Sequence, residues 1–188
     1  MFYTSTRNKN IKVTAAQAIA QGISEEGGLF VPCELPQFSL DKIASMVDMP
    51  YTQRAKTVLK DFLTDFSEEE LDYCVNGAYA AEKFSSSKIA PTVNVAGNKN
   101  ILELWHGPTC AFKDMALQLL PYLMTVSAKK TADGKTIVIL VATSGDTGKA
   151  ALEGFKDVDH TRILVFYPVD GVSPMQKLQM TTQEGENV

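Results

Sequence analysis

The chain has 188 residues, room for one large domain or two small ones, and its 45% apolar and 21% charged residues are an ordinary globular balance. Its 18 basic and 22 acidic residues leave a formal net charge of -4, which argues against a nucleic-acid or anionic-membrane partner, because both need a basic surface. Cys33, Cys74 and Cys110 form no CxxC pair and no Cys/His cluster, so no metal site is expected, and thiol usage of this kind fits a reducing, cytoplasmic setting.

Residues 1–10 are polar and carry no secretory pattern. In TAAQAIAQG, Thr14 and Gln17 stand at capping-box spacing, which predicts a helix from residue 15, and Gly22 can end it in a left-handed conformation. EEGGLFVP reads as a glycine-rich turn into an apolar segment stopped by Pro32. Across 51–66, Val58, Leu59, Phe62, Leu63 and Phe66 recur at helical spacing. Ser67 and Glu70 form a second capping box, opening a helix that carries Leu71, Val75, Ala78 and Tyr79. SSSKIAP at 85–91 is a polar break that divides a mostly helical domain, 1–88, from a second domain, 89–188.

The second domain changes character. ILEL at 101–104 predicts a short strand. TIVILVA at 136–142 and RILVFY at 162–167 are β-branched runs of the kind found in strands buried on both faces, and the apolar run is far too short to span a bilayer. TSGDTGKAALEGFKD between them supplies a turn and a helix. The resulting βαβ unit demands a parallel sheet with a right-handed crossover, so the fold class is α/β.

Ligands of such sheets bind beyond the carboxyl ends of the strands, where two loops stand out. In ATSGDTGKAA, small residues and hydroxyls precede a helix start, which suits either close backbone approach to an anion or simple helix capping. A Walker A loop is excluded because Thr143 stands where its first Gly is needed and Ala150 where Ser or Thr is. The DTG triplet of aspartic proteases belongs to all-β proteins, whereas this one opens a helix. In ELWHGPTCAFKDMALQ, Lys113 has mostly apolar neighbours that suit partial burial and hence nucleophilic or Schiff-base chemistry. A surface lysine paired with Asp114 fits the same residues. His106 reads as an orienting group or a satisfied structural histidine, Cys110 as a small packed group, and Trp105 as core.

These segments, in this order, resemble threonine synthase. YTSTRN and AIAQGISEEGGLFVP are similar to the family's N-terminal domain, ELWHGPTCAFKDMALQLL to its lysine segment, ATSGDTGKAALEGF to its substrate loop, and FYPVDGVSPMQKLQMTTQEGENV to the family's next segment along the chain. The resemblance implies a mostly helical N-terminal domain followed by part of a parallel-sheet pyridoxal-phosphate (PLP) domain of the tryptophan synthase beta-like type, fold type II. It implies conversion of O-phospho-L-homoserine and water to L-threonine and phosphate. On that reading Lys113 holds PLP covalently and is the catalytic residue. Asp146 replaces an asparagine that contacts the cofactor in relatives of the fold, and Thr143, Ser144, Gly145 and Thr147 bind the substrate carboxylate. The family's PLP-phosphate loop would lie beyond Val188, so the 188-residue chain alone is expected to hold PLP weakly, to have little activity and to self-associate through exposed apolar surface. Alternatives are another PLP-dependent β/γ-eliminase, of the threonine dehydratase or cysteine synthase type, or a catalytically dead binder of phospho-ligands.

Overall fold

Thr14 and Ser67 start helices as their spacing requires. The Thr14 hydroxyl accepts the Gln17 N–H while the Gln17 side chain accepts the Thr14 N–H, and Ser67 and Glu70 exchange the same pair of bonds at 3.2 and 2.7 Å. Gly22 closes the first helix at φ 76°.

The structure, a computed structural model, describes residues 1–131 and 135–188. In chain order its first elements are β1 (Tyr3–Ser5), α1 (Ala15–Gln21), β2 (Phe30–Pro32), α2 (Leu40–Ser45), α3 (Tyr51–Phe62) and α4 (Glu68–Ala78). Next come β3 (Thr92–Ala96), β4 (Lys99–Leu102), α5 (Asp114–Leu117), α6 (Leu120–Thr131), β5 (Ile137–Ala142), α7 (Asp146–Phe155), β6 (Thr161–Phe166) and α8 (Pro174–Thr181). Among the described residues no helix is long and apolar enough to cross a membrane.

Two compact units result. The first comprises residues 1–77 and 122–134. In it β1 pairs antiparallel with β2, Tyr3 opposite Pro32 and Ser5 opposite Phe30. Its core is built from Ala15, Ala16, Leu71, Cys74 and Val75, with Leu123, Met124 and Val126 of α6. The periodic run expected to be helical to residue 66 stops earlier: α3 ends at Phe62, and Leu63 leaves the helix at φ -104°, ψ 58°. Leu63 and Phe66 are nonetheless buried, so their spacing reflects core contact made from a turn.

The second unit comprises residues 78–121 and 135–188 and holds the βαβ unit. β5 and β6 are parallel, from Ile137 opposite Thr161 to Ala142 opposite Phe166, with α7 between them in sequence. Helix α7 buries Ala150, Ala151, Leu152 and Phe155 and packs against both strands, and α5 and α8 pack on α7. One expectation is corrected here: these strands are not buried on both faces. Exposure alternates along β5, leaving Val138, Leu140, Leu164 and Phe166 exposed on the pair. Successive strand residues point to opposite faces, and α7 covers only one of them. Residues 92–102 form the β3–β4 antiparallel hairpin, with Thr92 opposite Leu102. The strand expected at 101–104 therefore begins earlier, at Lys99, and ends at Leu102, and its partner β3 was not expected.

Candidate active site

The segment leading to Lys113 is anchored by His106. Its Nδ1 lies 2.8 Å from the Ser85 hydroxyl and its Nε2 2.7 Å from a Glu103 carboxylate oxygen. The His106 carbonyl also accepts the Ser85 N–H at 2.9 Å. With both ring nitrogens engaged by protein, the imidazole pins the chain just before the loop. Trp105, expected in the core, is half exposed, because the segment runs over the surface. Cys110, expected to pack, is also exposed and adopts a left-handed φ of 58° at the loop's bend.

Lys113 closes this loop immediately before α5. Its carbonyl accepts the N–H groups of Ala116 and Leu117, at 3.1 and 2.8 Å, so its backbone is held in the first turn. The side chain is half-buried, with Nζ 4.9 Å from the centroid of the Phe112 ring. Among the described residues no carboxylate is within ion-pair distance of it. Asp114, which the sequence offers as a partner, is fully buried and instead accepts two bonds from Thr109.

The second loop lies past the carboxyl end of β5. The Thr143 N–H donates to the Phe166 carbonyl at 2.9 Å, extending the parallel ladder by one residue. Its hydroxyl oxygen accepts the N–H groups of Gly145 and Gly148, each at 3.2 Å, which leaves its O–H to donate. Gly145 is buried at φ 157°, ψ -110°, a conformation open to glycine, and a Cβ there would lie 2.5 Å from the Gln176 side chain. Asp146 opens α7 exposed, with one carboxylate oxygen accepting the Gln176 amide at 2.9 Å. Ser144 is exposed and Thr147 half-buried. Among the described residues no protein acceptor takes up the N–H groups of Ser144, Asp146 or Thr147. Unpaired amides at the positive end of a ten-residue helix make a favourable place for an anion. Lys149 is turned away from that role, pairing with Glu153 at 3.3 Å and with Gln183.

Thr143, Ser144, Gly145, Asp146 and Thr147 thus share one loop, while Lys113 sits on the other, and among the described residues no hydrogen bond joins the two. What relates them is the packing of α5, which begins right after Lys113, on α7, which begins within the second loop. Sequence reasoning missed Ser85, Glu103, Thr109 and Gln176. Only Gln176 left a readable signal, standing at capping-box spacing from Ser173, where the structure forms that box at the start of α8. Among the described residues no group of three or more His, Cys, Asp or Glu is placed to hold a metal ion.

The chain is similar to known proteins along its length. A family model described as the threonine synthase N terminus matches residues 2–79. A threonine synthase of Pseudomonas aeruginosa is 40% identical over 190 residues, covering 100% of this chain and 39% of the relative. Threonine synthase-like 1 of Homo sapiens is 39% identical over 180 residues, covering 92% of this chain and 24% of the relative. A crystal structure of PLP-bound threonine synthase from Brucella melitensis matches with a TM-score of 0.88 and 37% identity, covering 100% of this chain and 40% of that one. The chain therefore spans well under half the length of the relatives it matches.

Proposed function

This chain belongs with the N-terminal portion of the threonine synthase family, and from that premise we propose that it carries the lysine and the substrate loop of a PLP-dependent enzyme converting O-phospho-L-homoserine and water to L-threonine and phosphate. The observation that carries the reading is Lys113, a half-buried amine on a hydrogen-bonded loop with no carboxylate paired to it among the described residues. An amine so placed is available to a carbonyl group. The residues present fit the cofactor, since a carbonyl-bearing cofactor needs such an amine and an anionic substrate needs the uncommitted amides found at the start of α7.

Lys113 and Asp146 are the residues that would hold PLP, which when bound supplies an electron sink for the carbanion chemistry. Lys113 moves the proton at the substrate Cα. The Thr143 hydroxyl, the Ser144 and Thr147 hydroxyls and the amides around Gly145 bind the substrate carboxylate, offsetting its charge with donors already fixed in direction. With the substrate held there, Lys113 also takes a Cβ proton as the Cγ–O bond breaks and phosphate leaves. Water then adds across the Cβ–Cγ double bond, its hydroxyl to Cβ and its proton to Cγ. Replacing Lys113 with Ala in the protein that carries this chain should lower threonine and phosphate formation from O-phosphohomoserine by at least about a thousandfold. Unchanged turnover would sink the assignment. Turnover of threonine or O-acetylserine, with none of phosphohomoserine, would favour an eliminase of the dehydratase or cysteine synthase type.

A second reading is a silent binder of phospho-ligands, which would use the uncommitted amides at the start of α7 without the lysine. It is supported if the parent protein turns nothing over and Lys113→Ala binds phosphohomoserine as the parent does.

A further inference from the structure

Asp114 comes directly after Lys113, is 0% exposed, and has no cation within ion-pair distance among the described residues. Its two oxygens are both used by a single residue. Oδ2 accepts the Thr109 N–H at 2.9 Å, and Oδ1 accepts the Thr109 O–H at 2.7 Å. Burying a carboxylate is costly unless hydrogen bonds replace its water, so its burial is tolerated only while Thr109 stays in place. Gly107 packs on the same group so closely that a Cβ there would lie 2.5 Å from the Asp114 Cβ and 2.6 Å from Oδ2. Between these points the chain turns tightly. The Cys110 N–H donates to the Gly107 carbonyl at 3.1 Å, and the Asp114 N–H donates to the Ala111 carbonyl at 3.0 Å. Cys110 is held left-handed at φ 58°, a strained conformation that persists only where the surroundings over-determine it.

We propose that Asp114 is a positioning residue, which ties the loop of residues 107–113 shut from inside and so sets where the Lys113 amine is held. Lys113 is its chain neighbour, and the Lys113 carbonyl is already bonded to Ala116 and Leu117. With the backbone fixed on both sides, only the lysine side chain remains to move. The inference rests on the role given to Lys113 above. The tie between Asp114 and Thr109 is a separate structural claim and can be measured separately.

The test uses Thr109→Val, which removes the hydroxyl donor and leaves Oδ1 buried without a partner, and Thr109→Ser, which keeps it. Asp114→Ala is a second route to the same loss. PLP itself is the probe, fixed to amines by borohydride and read lysine by lysine by mass spectrometry, with exposed Lys12 and Lys129 as internal controls. Amide exchange at residue 109 reports the tie. In the parent, Lys113 should label faster than either control. In Thr109→Val and Asp114→Ala its labelling should fall by about tenfold, the effect of losing one bond to a charged group, while the controls stay unchanged. Exchange at residue 109 should rise in both variants, and Thr109→Ser should match the parent. General loosening of the fold would move the controls as well, and the serine variant would not rescue it. Unchanged Lys113 labelling in folded variants whose residue-109 amide exchanges faster overturns the positioning role and leaves the lysine's role standing. A parent in which Lys113 labels no faster than Lys12 overturns the lysine assignment and this inference with it.

Discussion

Cys74 and Cys110 carry the same side chain in opposite surroundings, and their chemistry separates accordingly. Cys74 lies in the first unit's core at 0% exposure, and burial, reinforced by the charge of Glu70, pushes its thiol up to about 12 from an ordinary 9.0. It therefore stays a neutral, inert thiol in the folded chain. Because the unfolded thiol ionises first, its contribution to stability is complete below pH 9 and is lost as pH rises from 9 towards 12. Cys33 and Cys110 are exposed. A disulfide reagent at pH 8 should titrate these two thiols in the native chain and release the third signal only on unfolding. Three equivalents from the folded chain would contradict the buried placement. That Cys110 is exposed beside an apolar sequence was not readable in advance. The alanine and phenylalanine after it suggest packing, but the left-handed bend turns its side chain outward.

At the scale of elements, the capping boxes of α1 and α4 were legible because both partners of each lie within four residues. The contacts between helices were not. Lys56 and Lys60 of α3 converge on Glu68 in the first turn of α4, with Lys56 also 2.7 Å from Asp72. Hydrogen bonds from Lys60 and then Lys56 hold the Glu68 carboxyl well below its ordinary 4.5, at about 2. The unfolded state then takes up its proton first as pH falls. The stabilising contribution is complete above pH 4.5 and is lost between 4.5 and about 2. Glu68 and Lys60 are solvent-exposed and Lys56 is half-buried, so salt should screen much of the effect. Glu68→Gln should flatten the loss of thermal stability across that window, and its destabilisation at neutral pH should shrink in about 1 M salt. An identical acid profile for parent and variant would show that the cluster contributes nothing. The α8 helix was not expected from the sequence, although Ser173, Pro174 and Gln176 mark its start. Its consequence is spatial, since Gln176 reaches Asp146, thirty residues upstream in the chain.

For the whole molecule, the βαβ unit has one face of its strand pair covered by α7 and the other, with Val138, Leu140, Leu164 and Phe166, exposed. A contiguous apolar face of this kind favours association. We expect the 188-residue chain to self-associate with rising concentration, and Leu140→Lys to weaken that by roughly tenfold with secondary structure unchanged, as read by sedimentation velocity. A parent that stays monomeric at about 100 µM, where even weak contacts register, would rule this out. The α/β class, the strand–helix–strand order of β5, α7 and β6, and both candidate loops could be derived from the sequence alone. Helix caps and strand runs are local, written in residues a few positions apart. The surroundings of Lys113 could not be derived in that way. The sequence offers Asp114 as its ion-pair partner, but the fold buries that carboxylate under Thr109 and leaves the amine unpaired among the described residues. Burial and pairing depend on which backbone groups the tertiary fold brings within about 3 Å, the reach of a hydrogen bond, and adjacency along the chain does not set that distance.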